Sequence, residues 1–396
     1  MSSDCELLIY DMEKQMKNIQ TSGTLNTFHH MVKLRSMGKD IINFCVGEPD
    51  TDTAPVVREF AIQAVKTFKI GYTPSEGLPE LREAVSGLFA NENCGLDPYK
   101  EIMITAGAKP ALYLSLMTLL KAGDEVLIPE PYYPSYPSMV SLSGARPIFI
   151  RGPLEKGFKI SVQVIEKYVC RKTRILIMNS PVNPTGSVYS ESELREILDY
   201  CSLKNILCIF DDVYNHFIYN PDLKFFTSSL FSKYRKHLIL IRSFSKEFAM
   251  TGWRIGYMAG DSDYITPIKV LQGHASGNPQ TLSQFAALTA LKNYESARIP
   301  LTLFSERRLL ILDKLNECKN LTFIRPQGAF YFFCDIRNIK RYMKSDELSM
   351  YLMEDHGVAV TPGKAFGMEG FIRLSYADGN RLNEGMERLI NGLNNL

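Results

Sequence analysis

The segment SFSKEFAMTGWRIGY, from Ser243 to Tyr257, is the most informative part of this 396-residue chain. Two short apolar runs, HLILIRS and IGYMAG, overlap its ends, and both are typical of buried strands. The residues between the two runs therefore form a connection, and Lys246 lies just past the carboxyl end of the first strand. Open α/β sheets place their ligand crevice at that end of the strands. The position of Lys246 therefore indicates a binding site, although most lysines are simply exposed to solvent.

Seven apolar runs predict the strands of one sheet, namely EIMIT, EVLI, RPIFI, RILIMN, LCIFD, HLILIRS and IGYMAG. Helical patterns lie between most of these runs, which is typical of a largely parallel sheet with helices on both faces. The connection around Lys246 contains no full helical pattern, so we expect the last strand to run antiparallel. The turns that follow the strands should converge on one edge of the sheet. They carry Lys246, Asp211, Asn183, Gly107 and Tyr133.

The predicted fold class is α/β, with a mostly parallel seven-stranded sheet and a second, smaller α+β domain. We expect residues 48–295 to form the large domain, while residues 1–47 and 296–396 form the small domain from both chain ends. A long helical pattern starts near Pro300, and strand patterns follow in PQGAFYFFCDI and GFIRLSYA.

The composition limits the classes of protein that this chain can belong to. The net charge is +2 and no basic block stands out, which argues against nucleic-acid and membrane partners. The eight cysteines are scattered without a Cys-x-x-Cys pair or a Cys/His cluster, so we expect no structural metal site, no disulfide framework and a reducing compartment. No apolar run approaches the ~18 residues of a membrane span. Acidic residues interrupt the N-terminal segment, which we interpret as an amphipathic helix of a cytoplasmic protein.

The motifs around the strand ends resemble those of class I aminotransferases, fold type I enzymes that use pyridoxal 5'-phosphate. The resemblance is carried by Ser-x-Ser-Lys and TGWRIG in the segment 243–257, by NSPVNPTG in 179–186 and by FDDVY in 210–214. It implies that Lys246 holds the cofactor as a Schiff base, while Ser243 and Arg254 bind its phosphate. The chemistry agrees, because an amine condenses with an aldehyde and the fork of an arginine suits a phosphate.

The resemblance also implies which residues contact the cofactor ring. Asp211 pairs with the protonated pyridine nitrogen, Asn183 and Tyr214 hydrogen-bond the ring oxygen, and Tyr133 stacks on the ring. Independently of the resemblance, a carboxylate that directly follows an apolar strand is costly unless it has a partner. We expect the neighbouring Asp212 to cap the segment that follows it.

A turn of small residues follows the first strand of the sheet. Gly107, Ala108 and Lys109 lie where this turn meets a helix N-terminus, and such a site favours phosphate. Related enzymes often have a second glycine where this chain has Ala108. The resemblance further implies that Tyr72 reaches the cofactor phosphate of a partner subunit, and that the loop with Ser276 and Asn278 lines the same phosphate site. These three residues predict a homodimer with shared active sites.

The substrate-binding residues are also implied by the resemblance. Arg373, in FIRLSYADG, grips the substrate α-carboxylate as a bidentate fork, with Asn183 beside it. The backbone of Gly47, in GEPDTDT, lies next to the same carboxylate. Lys109, helped by Ser22 and Thr24, contacts a distal carboxylate, which favours aspartate or glutamate as a substrate.

The predicted activity is the transfer of an amino group from an L-amino acid, with aspartate favoured, to a 2-oxo acid such as 2-oxoglutarate. The catalytic residues would be Lys246, Asp211 and Tyr214, with Lys246 moving a proton between substrate and cofactor in ping-pong kinetics. Aromatic amino acids, alanine and kynurenine remain open as donors, as do lyase and oxidative deaminase chemistry on the same fold. A cofactor-sensing regulator would need roughly 60 to 70 additional residues for a DNA-binding domain and a basic stripe. A nicotinamide dehydrogenase would need a Gly-x-Gly-x-x-Gly turn after its first strand, and the sequence has none.

Overall fold

The computed structural model of the protein describes residues 23–318, 321–339 and 343–396. Its helices are α1 (Gly23–Ser36), α2 (Pro55–Thr67), α3 (Pro79–Asn91), α4 (Ala108–Leu119), α5 (Ser135–Leu142), α6 (Val162–Ile165), α7 (Glu191–Leu203), α8 (Phe231–Tyr234), α9 (Phe244–Glu247), α10 (Ser262–Ala275), α11 (Thr281–Lys292), α12 (Tyr294–Ala297), α13 (Leu301–Asn316), α14 (Ser345–His356) and α15 (Leu382–Asn394). In the part of the chain that the structure describes, no helix combines the length and the apolar character of a membrane span. The predicted amphipathic helix of the first twenty residues lies outside the described residues.

Twelve strands are present in the described residues, and they form two sheets. They are β1 (Ile42–Phe44), β2 (Ile102–Thr105), β3 (Glu125–Glu130), β4 (Arg146–Arg151), β5 (Thr173–Asn179), β6 (Leu207–Asp211), β7 (Leu238–Ser243), β8 (Gly256–Ala259), β9 (Thr322–Ile324), β10 (Tyr331–Asp335), β11 (Val358–Pro362) and β12 (Phe371–Ser375). The larger sheet has seven strands in the order β2-β8-β7-β6-β5-β3-β4. These are the seven strands that the sequence predicts, so that part of the fold prediction is confirmed.

The strand β8 runs antiparallel to both of its neighbours, β2 and β7, while the remaining pairs of the large sheet are parallel. The connection from β7 to β8, residues 244–255, contains only the four-residue helix α9. A parallel crossover usually contains a full helix that packs on the sheet. The predicted antiparallel last strand is therefore confirmed.

Apolar side chains on the two faces of the large sheet enter two separate cores, as expected for strands buried on both sides. Leu238 and Leu240 of β7 belong to one core, in which α3, α7 and α11 also take part. Ile239 and Ile241 of the same strand belong to the other core, with α4, α5 and α10. The helices thus cover both faces of the sheet and leave its carboxyl edge to the connecting turns.

The smaller sheet has the order β1-β11-β12-β10-β9 and draws strands from both parts of the chain. Its strand β1 precedes the large sheet in sequence and pairs in parallel with β11, which follows the large sheet. The helix α13, predicted from about Pro300, leads from one sheet to the other. The sequence analysis did not identify β9 or β11, because three residues and a run ending in proline give too little periodicity. The domain boundaries at residues 48 and 295 remain a prediction.

Two helix starts follow from local sequence. A capping box is present at the start of α7, where the Oγ of Ser190 accepts a hydrogen bond from the N–H of Glu193 at 3.2 Å. The Glu193 carboxylate accepts the N–H of Ser190 at 2.8 Å in return. The helix α3 begins with Pro79 at its first position, where a missing N–H costs nothing.

Candidate active site

Five polar or small residues identified from the sequence lie just past, or at, the carboxyl ends of strands that point the same way. The strands are β2, β3, β5, β6 and β7, which share one direction because β8 alone is reversed. The residues are, in the same order, Gly107, Tyr133, Asn183, Asp211 and Lys246. Ligand sites of open α/β sheets lie at this edge.

Lys246 lies in α9, one turn after the end of β7. The helix is capped by Ser243, whose Oγ accepts the N–H of Ser245 at 3.1 Å. The amine of Lys246 donates a hydrogen bond to the carbonyl of Gly47 at 2.5 Å. Burial lowers the pKa of this amine to about 8. A lysine with that pKa is partly neutral near pH 8 and can act as a nucleophile or a base.

Asp211 is the last residue of β6, and its two carboxylate oxygens have different surroundings. Its Oδ2 accepts a hydrogen bond from the hydroxyl of Tyr136 at 2.6 Å. Its Oδ1 is buried and has no hydrogen-bond partner among the described residues. Burial raises the pKa of Asp211 to about 6, against the hydrogen bond from Tyr136, the backbone N–H of Val213 and the positive charge of Lys246. A buried acceptor without a donor is rare in folded proteins, and it indicates a place for a ligand donor.

Asn179 connects Asp211 to the turn that carries Asn183. Its side-chain amide donates to the carbonyl of Asp211 at 2.8 Å, and its Oδ1 accepts the N–H of Asn183 at 2.8 Å. The Oδ1 of Asn183 in turn accepts a hydrogen bond from Arg373 at 3.0 Å. These bonds fix the ends of β5 and β6 relative to the arginine of the smaller sheet.

Arg373 lies in β12 and is buried with neutral partners. Its Nη2 donates to the carbonyl of Cys45 at 2.6 Å and lies 3.4 Å from the Oγ1 of Thr361. Its guanidinium carbon lies 4.4 Å from the centre of the Tyr331 ring and 4.8 Å from that of Phe366. No carboxylate of the described residues pairs with it, and its Nε has no partner there. A buried cation in such surroundings favours the binding of an anion.

Gly107 and Arg254 face each other at the start of α4. The backbone of Gly107 has a φ of 101°, a conformation that glycine adopts readily, and a Cβ there would lie 2.9 Å from the Nη2 of Arg254. Gly256, in the neighbouring strand β8, allows this turn to approach, because its own Cβ would lie 3.1 Å from the N of Ala108. The Nη1 of Arg254 donates to the carbonyl of Thr251 at 2.9 Å, while the side chain stays exposed.

Two further aromatic residues identified from the sequence are Tyr214 and Tyr133. Tyr214 is buried, its hydroxyl lies 2.8 Å from the hydroxyl of Tyr331, and burial raises its pKa well above the usual value. The Tyr133 ring packs edge-on against Tyr136, with ring centres 5.4 Å apart. The amine of Lys109, at the start of α4, lies 5.7 Å from the centre of the Tyr133 ring.

The remaining sequence-predicted residues are Tyr72, Ser276, Asn278, Thr24 and Ser22. Tyr72 is fully exposed, at 100% of its accessible surface, and Ser276 is exposed. Asn278 uses its amide to bond the carbonyl of Pro279 at 2.7 Å. Thr24 lies in the first turn of α1, and Ser22 lies outside the described residues.

The expectation that Asp212 caps the following segment is wrong. Its carboxylate is buried and accepts a hydrogen bond from the Nε of Arg242 at 2.7 Å and one from the hydroxyl of Thr227 at 3.2 Å. Arg242 also donates to both carboxylate oxygens of Glu92 at 2.9 Å. The partner that compensates Asp212 comes from the neighbouring strand β7, and local sequence does not reveal such a pairing.

Three residues of the site were missed by the sequence analysis, namely Tyr136, Asn179 and Tyr331. Asn179 carries the signal that identified Asp211, because it is the polar last residue of an apolar strand. Tyr136 lies in the first turn of α5, and its N–H donates to the carbonyl of Tyr133 at 3.0 Å in the turn that precedes the helix. Tyr331 has no such signal, since a tyrosine at the start of an apolar strand is typical of a core residue.

Comparisons with known proteins show the family to which the chain belongs. The sequence model of the family described as aminotransferase class I and II matches residues 39–393. The probable aspartate/prephenate aminotransferase of Aquifex aeolicus (strain VF5) is 38% identical over 384 residues, which cover 96% of this chain and 97% of the relative.

Solved structures agree with the sequence comparison. The aspartate aminotransferase of Thermus thermophilus with maleate has a TM-score of 0.90 at 32% identity, and the match covers 96% of this chain and 98% of that chain. The aromatic aminotransferase of Pyrococcus horikoshii OT3 has a TM-score of 0.85 at 37% identity, covering 92% and 99% of the two chains. The fold is thus that of a fold type I enzyme, a class that uses pyridoxal phosphate. Within that class, the chain belongs to the class I and II aminotransferases.

The residues around Lys246 fit pyridoxal phosphate, the cofactor of this family. The orphaned Oδ1 of Asp211 is an acceptor that a protonated ring nitrogen would satisfy. The turn at Gly107 offers backbone N–H groups at a helix N-terminus, and Arg254 offers a guanidinium beside it. The aldehyde complements the partly neutral amine of Lys246.

Proposed function

We propose that this aminotransferase transfers the amino group of an L-amino acid, with aspartate favoured, to a 2-oxo acid such as 2-oxoglutarate. The observation that carries the proposal is the buried guanidinium of Arg373, which has neutral partners and an Nε without one among the described residues. A substrate α-carboxylate supplies the missing anion as a bidentate partner. The names of the aspartate aminotransferase relatives support aspartate as the donor.

The cofactor ring is assigned to five residues. When bound, pyridoxal phosphate links covalently to a lysine amine and draws electrons from the substrate. Lys246 supplies that amine, and Asp211 keeps the ring nitrogen protonated with its unpartnered Oδ1. Tyr214 and Asn183 hydrogen-bond the ring oxygen, and Tyr133 packs on the ring face.

The cofactor phosphate is assigned to the start of α4 and the lysine segment. Gly107, Ala108 and Lys109 offer the helix N-terminus, while Ser243 and Arg254 offer a hydroxyl and a guanidinium. Ser243 has its Oγ 2.9 Å from the hydroxyl of Ser245, so the hydroxyl group lies inside the same turn as Lys246.

The substrate is assigned to residues at the junction of the two sheets. Arg373 binds the α-carboxylate, with Asn183 holding the guanidinium at 3.0 Å. Gly47 contributes its backbone, which already accepts the Lys246 amine. Lys109 carries the positive charge that a distal carboxylate requires, near the ring of Tyr133.

Lys246 also serves as the base and acid of the reaction. Its amine, with a pKa of about 8 in the free lysine, would take the proton from the substrate Cα and deliver it to the C4' carbon of the cofactor. The two half-reactions share one site, so the kinetics are ping-pong.

The active enzyme is a cytoplasmic homodimer whose sites are shared between subunits. Tyr72 is fully exposed in the isolated chain, and a large exposed aromatic residue is typical of a contact surface. Tyr72 of one subunit reaches the cofactor phosphate of the other, and the loop with Ser276 and Asn278 lies at the same contact. The large domain spans residues 48–295 and the small domain the two chain ends. A monomer in sedimentation velocity at working concentration would contradict the dimer, and cell fractionation tests the compartment.

The experiment is a panel of amino donors with 2-oxoglutarate, using the native protein and Lys246→Ala. We expect transfer from aspartate and loss of both turnover and the visible absorbance of the bound cofactor in Lys246→Ala. A yellow, active variant would overturn the assignment of Lys246. Preference for an aromatic donor would instead favour the activity named for the Pyrococcus horikoshii structure, and amine release without a 2-oxo acid would favour lyase or deaminase chemistry.

A further inference from the structure

Tyr331 is the first residue of β10 in the smaller sheet, and it contacts three residues of the candidate site. It is almost completely buried, with 1% of its surface accessible. Its hydroxyl lies 2.8 Å from the hydroxyl of Tyr214, which belongs to the segment after β6 of the large sheet. The two phenols therefore form a hydrogen bond between the segments that carry the two sheets.

The ring of Tyr331 forms one face of the slot that holds Arg373. The guanidinium carbon lies 4.4 Å from the centre of that ring, closer than its 4.8 Å separation from the Phe366 ring. A guanidinium over an aromatic face is attracted by the ring electrons, more strongly where water is excluded. The ring thus fixes the plane in which Arg373 presents its N–H groups.

The hydroxyl of Tyr331 also packs against the backbone of Gly47. A Cβ at Gly47 would lie 2.0 Å from the hydroxyl oxygen of Tyr331, so only glycine fits there without a shift. The carbonyl of the same Gly47 accepts the amine of Lys246 at 2.5 Å. The position of Tyr331 is therefore linked to both the lysine and the arginine of the site.

Hydrogen-bond direction in the phenol pair has a chemical consequence. Of the two hydroxyls, one donates to the other and keeps no proton for a further acceptor. If Tyr214 donates to the ring oxygen of the cofactor, Tyr331 has to donate to Tyr214, since an unpaired buried hydroxyl is costly. A hydroxyl that accepts a hydrogen bond is also a stronger donor.

We propose that Tyr331 is a positioning residue with two separable parts: its ring orients Arg373 for the substrate carboxylate, and its hydroxyl directs the proton of Tyr214 towards the cofactor. This inference rests on the proposed roles of Arg373 and Tyr214. Tyr331 would then be one side chain that acts on both the substrate-carboxylate site and the cofactor site.

A purely structural tyrosine is the alternative, and the chain contains a matched example. Tyr376 is also completely buried at the end of the neighbouring strand β12, and its ring packs on Phe332 with centres 5.6 Å apart. Its hydroxyl bonds the hydroxyl of Tyr219 at 3.4 Å and the carbonyl of Ala329 at 3.3 Å. Tyr376→Phe removes the same atom from the same core, and neither hydrogen-bond partner of that hydroxyl belongs to the site.

The hydroxyl is tested by titrating the visible absorbance of the cofactor-loaded enzyme against pH. Losing the hydrogen bond from Tyr331 weakens the donation by Tyr214, so the cofactor oxygen becomes more negative and favours a protonated lysine nitrogen. In Tyr331→Phe we expect the midpoint of the titration to rise by about half a unit to one unit. Tyr214→Phe should raise it further, and the double variant should match Tyr214→Phe alone. Tyr376→Phe should leave it unchanged.

The ring is tested by the affinity of the loaded enzyme for maleate, a dicarboxylate, followed by the same absorbance. Tyr331→Phe keeps the ring and should change the dissociation constant by less than about twofold, whereas Tyr331→Leu should weaken binding about five- to tenfold. Thermal unfolding of each variant, beside Tyr376→Phe, separates a loss of binding from a loss of folding.

The outcomes distinguish this inference from the proposed function. If Tyr214→Phe moves the titration and Tyr331→Phe does not, the role of the Tyr331 hydroxyl is wrong and the assignment of Tyr214 stands. If neither variant changes the midpoint of the titration, the assignment of Tyr214 is wrong, and the inference about Tyr331 is wrong with it. An equal shift from Tyr331→Phe in the presence and absence of Tyr214 would also overturn it, because Tyr331 would then act by another route.

Discussion

Arg242 and Arg373 are equally buried, each with 4% of its surface accessible, and yet their surroundings are opposite. Arg242 donates to Asp212 at 2.7 Å and to both oxygens of Glu92 at 2.9 Å, and it lies over the ring of Phe89 at 5.1 Å. Its charge is compensated within the fold. Removing one member of such a charged cluster leaves the other buried charges without partners, which is strongly destabilising.

Arg373 has the same burial and no carboxylate partner among the described residues. Its hydrogen bonds go to an amide, a carbonyl and a hydroxyl, none of which carries a charge. The cost of burying that cation is met only when an anion binds. The compensated arginine therefore stabilises the fold, while the uncompensated one is available to bind a ligand.

The largest effect is expected for Arg242→Leu. This change leaves Asp212 and Glu92 buried without their cation, so the free energy of unfolding should fall by about 3–5 kcal/mol. Urea unfolding followed by circular dichroism measures it. The control is Arg58→Leu, the same substitution at an exposed pair with Asp52, where the loss should be at most about 1 kcal/mol. Equal losses in the two variants would mean that the buried cluster contributes no more than a surface pair.

Arg373→Leu should mainly reduce the activity, whereas Arg242→Leu should mainly reduce the stability. The kcat/KM for an amino-acid donor should fall roughly 10²- to 10³-fold, because the substrate carboxylate loses a buried charged partner. The free energy of unfolding should fall less than in Arg242→Leu, since only neutral acceptors lose a hydrogen bond. Steady-state kinetics and urea unfolding of both variants give the two quantities. If Arg373→Leu unfolds as readily as Arg242→Leu and keeps its activity, the contrast between the two arginines fails.

The sequence predicts those parts of the fold and the site that depend on the pattern of neighbouring residues. The run from Leu238 to Ser243 and the motif around Lys246 place a lysine at a strand end, and the seven strands of the large sheet are the predicted ones. Asp211 was identified because a carboxylate after an apolar strand needs a partner. The short strands β9 and β11 were missed because they contain too few residues to show a period.

What the sequence does not reveal is which buried charges find partners far along the chain. Arg242 and Glu92 are 150 residues apart, and this distance hid the reason why Asp212 needs no capping role. Tyr331 resembles any core tyrosine until its hydroxyl is seen beside Tyr214, 117 residues away. Such pairings depend on the packing of the two sheets, which local periodicity does not encode.

A smaller effect concerns pH. Burial lowers the pKa of Lys246 to about 8, Glu48 opposes this shift, and the positive charge of Arg373 adds to it. Only the neutral amine attacks an aldehyde, so capture of pyridoxal phosphate by the cofactor-free enzyme should slow below pH 8 and level off above it. Without Arg373 the ammonium form is less disfavoured. Arg373→Leu should therefore raise the midpoint by roughly one unit.

Stopped-flow absorbance at several pH values measures this midpoint, and sodium borohydride trapping confirms that the lysine has reacted. The Arg58→Leu variant again serves as the control, because its charge lies at an exposed pair with Asp52. A midpoint in Arg373→Leu that equals that of the native protein would mean that the uncompensated charge of Arg373 does not reach Lys246.

The smallest effect is expected for Lys109→Ala, which removes an exposed cation near the ring of Tyr133. An exposed ion pair contributes at most about 1 kcal/mol, so the kcat/KM for aspartate should fall by no more than about fivefold. The kcat/KM for alanine, which has no distal carboxylate, should stay the same. The ratio of the two donors is therefore the quantity to measure, with Lys109→Arg as the variant that keeps the charge.

Three results of this measurement have different meanings. A fall for aspartate alone, restored in Lys109→Arg, assigns the distal carboxylate to Lys109. An equal fall for both donors means that the amine acts on the cofactor, through its phosphate or the ring of Tyr133, because both donors use the same cofactor. No fall for either donor removes the physical reason for favouring aspartate, since Arg373 binds an α-carboxylate that all amino acids share. The exposed cation of Lys109 would then have no effect on the choice of amino donor. Any preference for aspartate would have to come from the shape of the pocket.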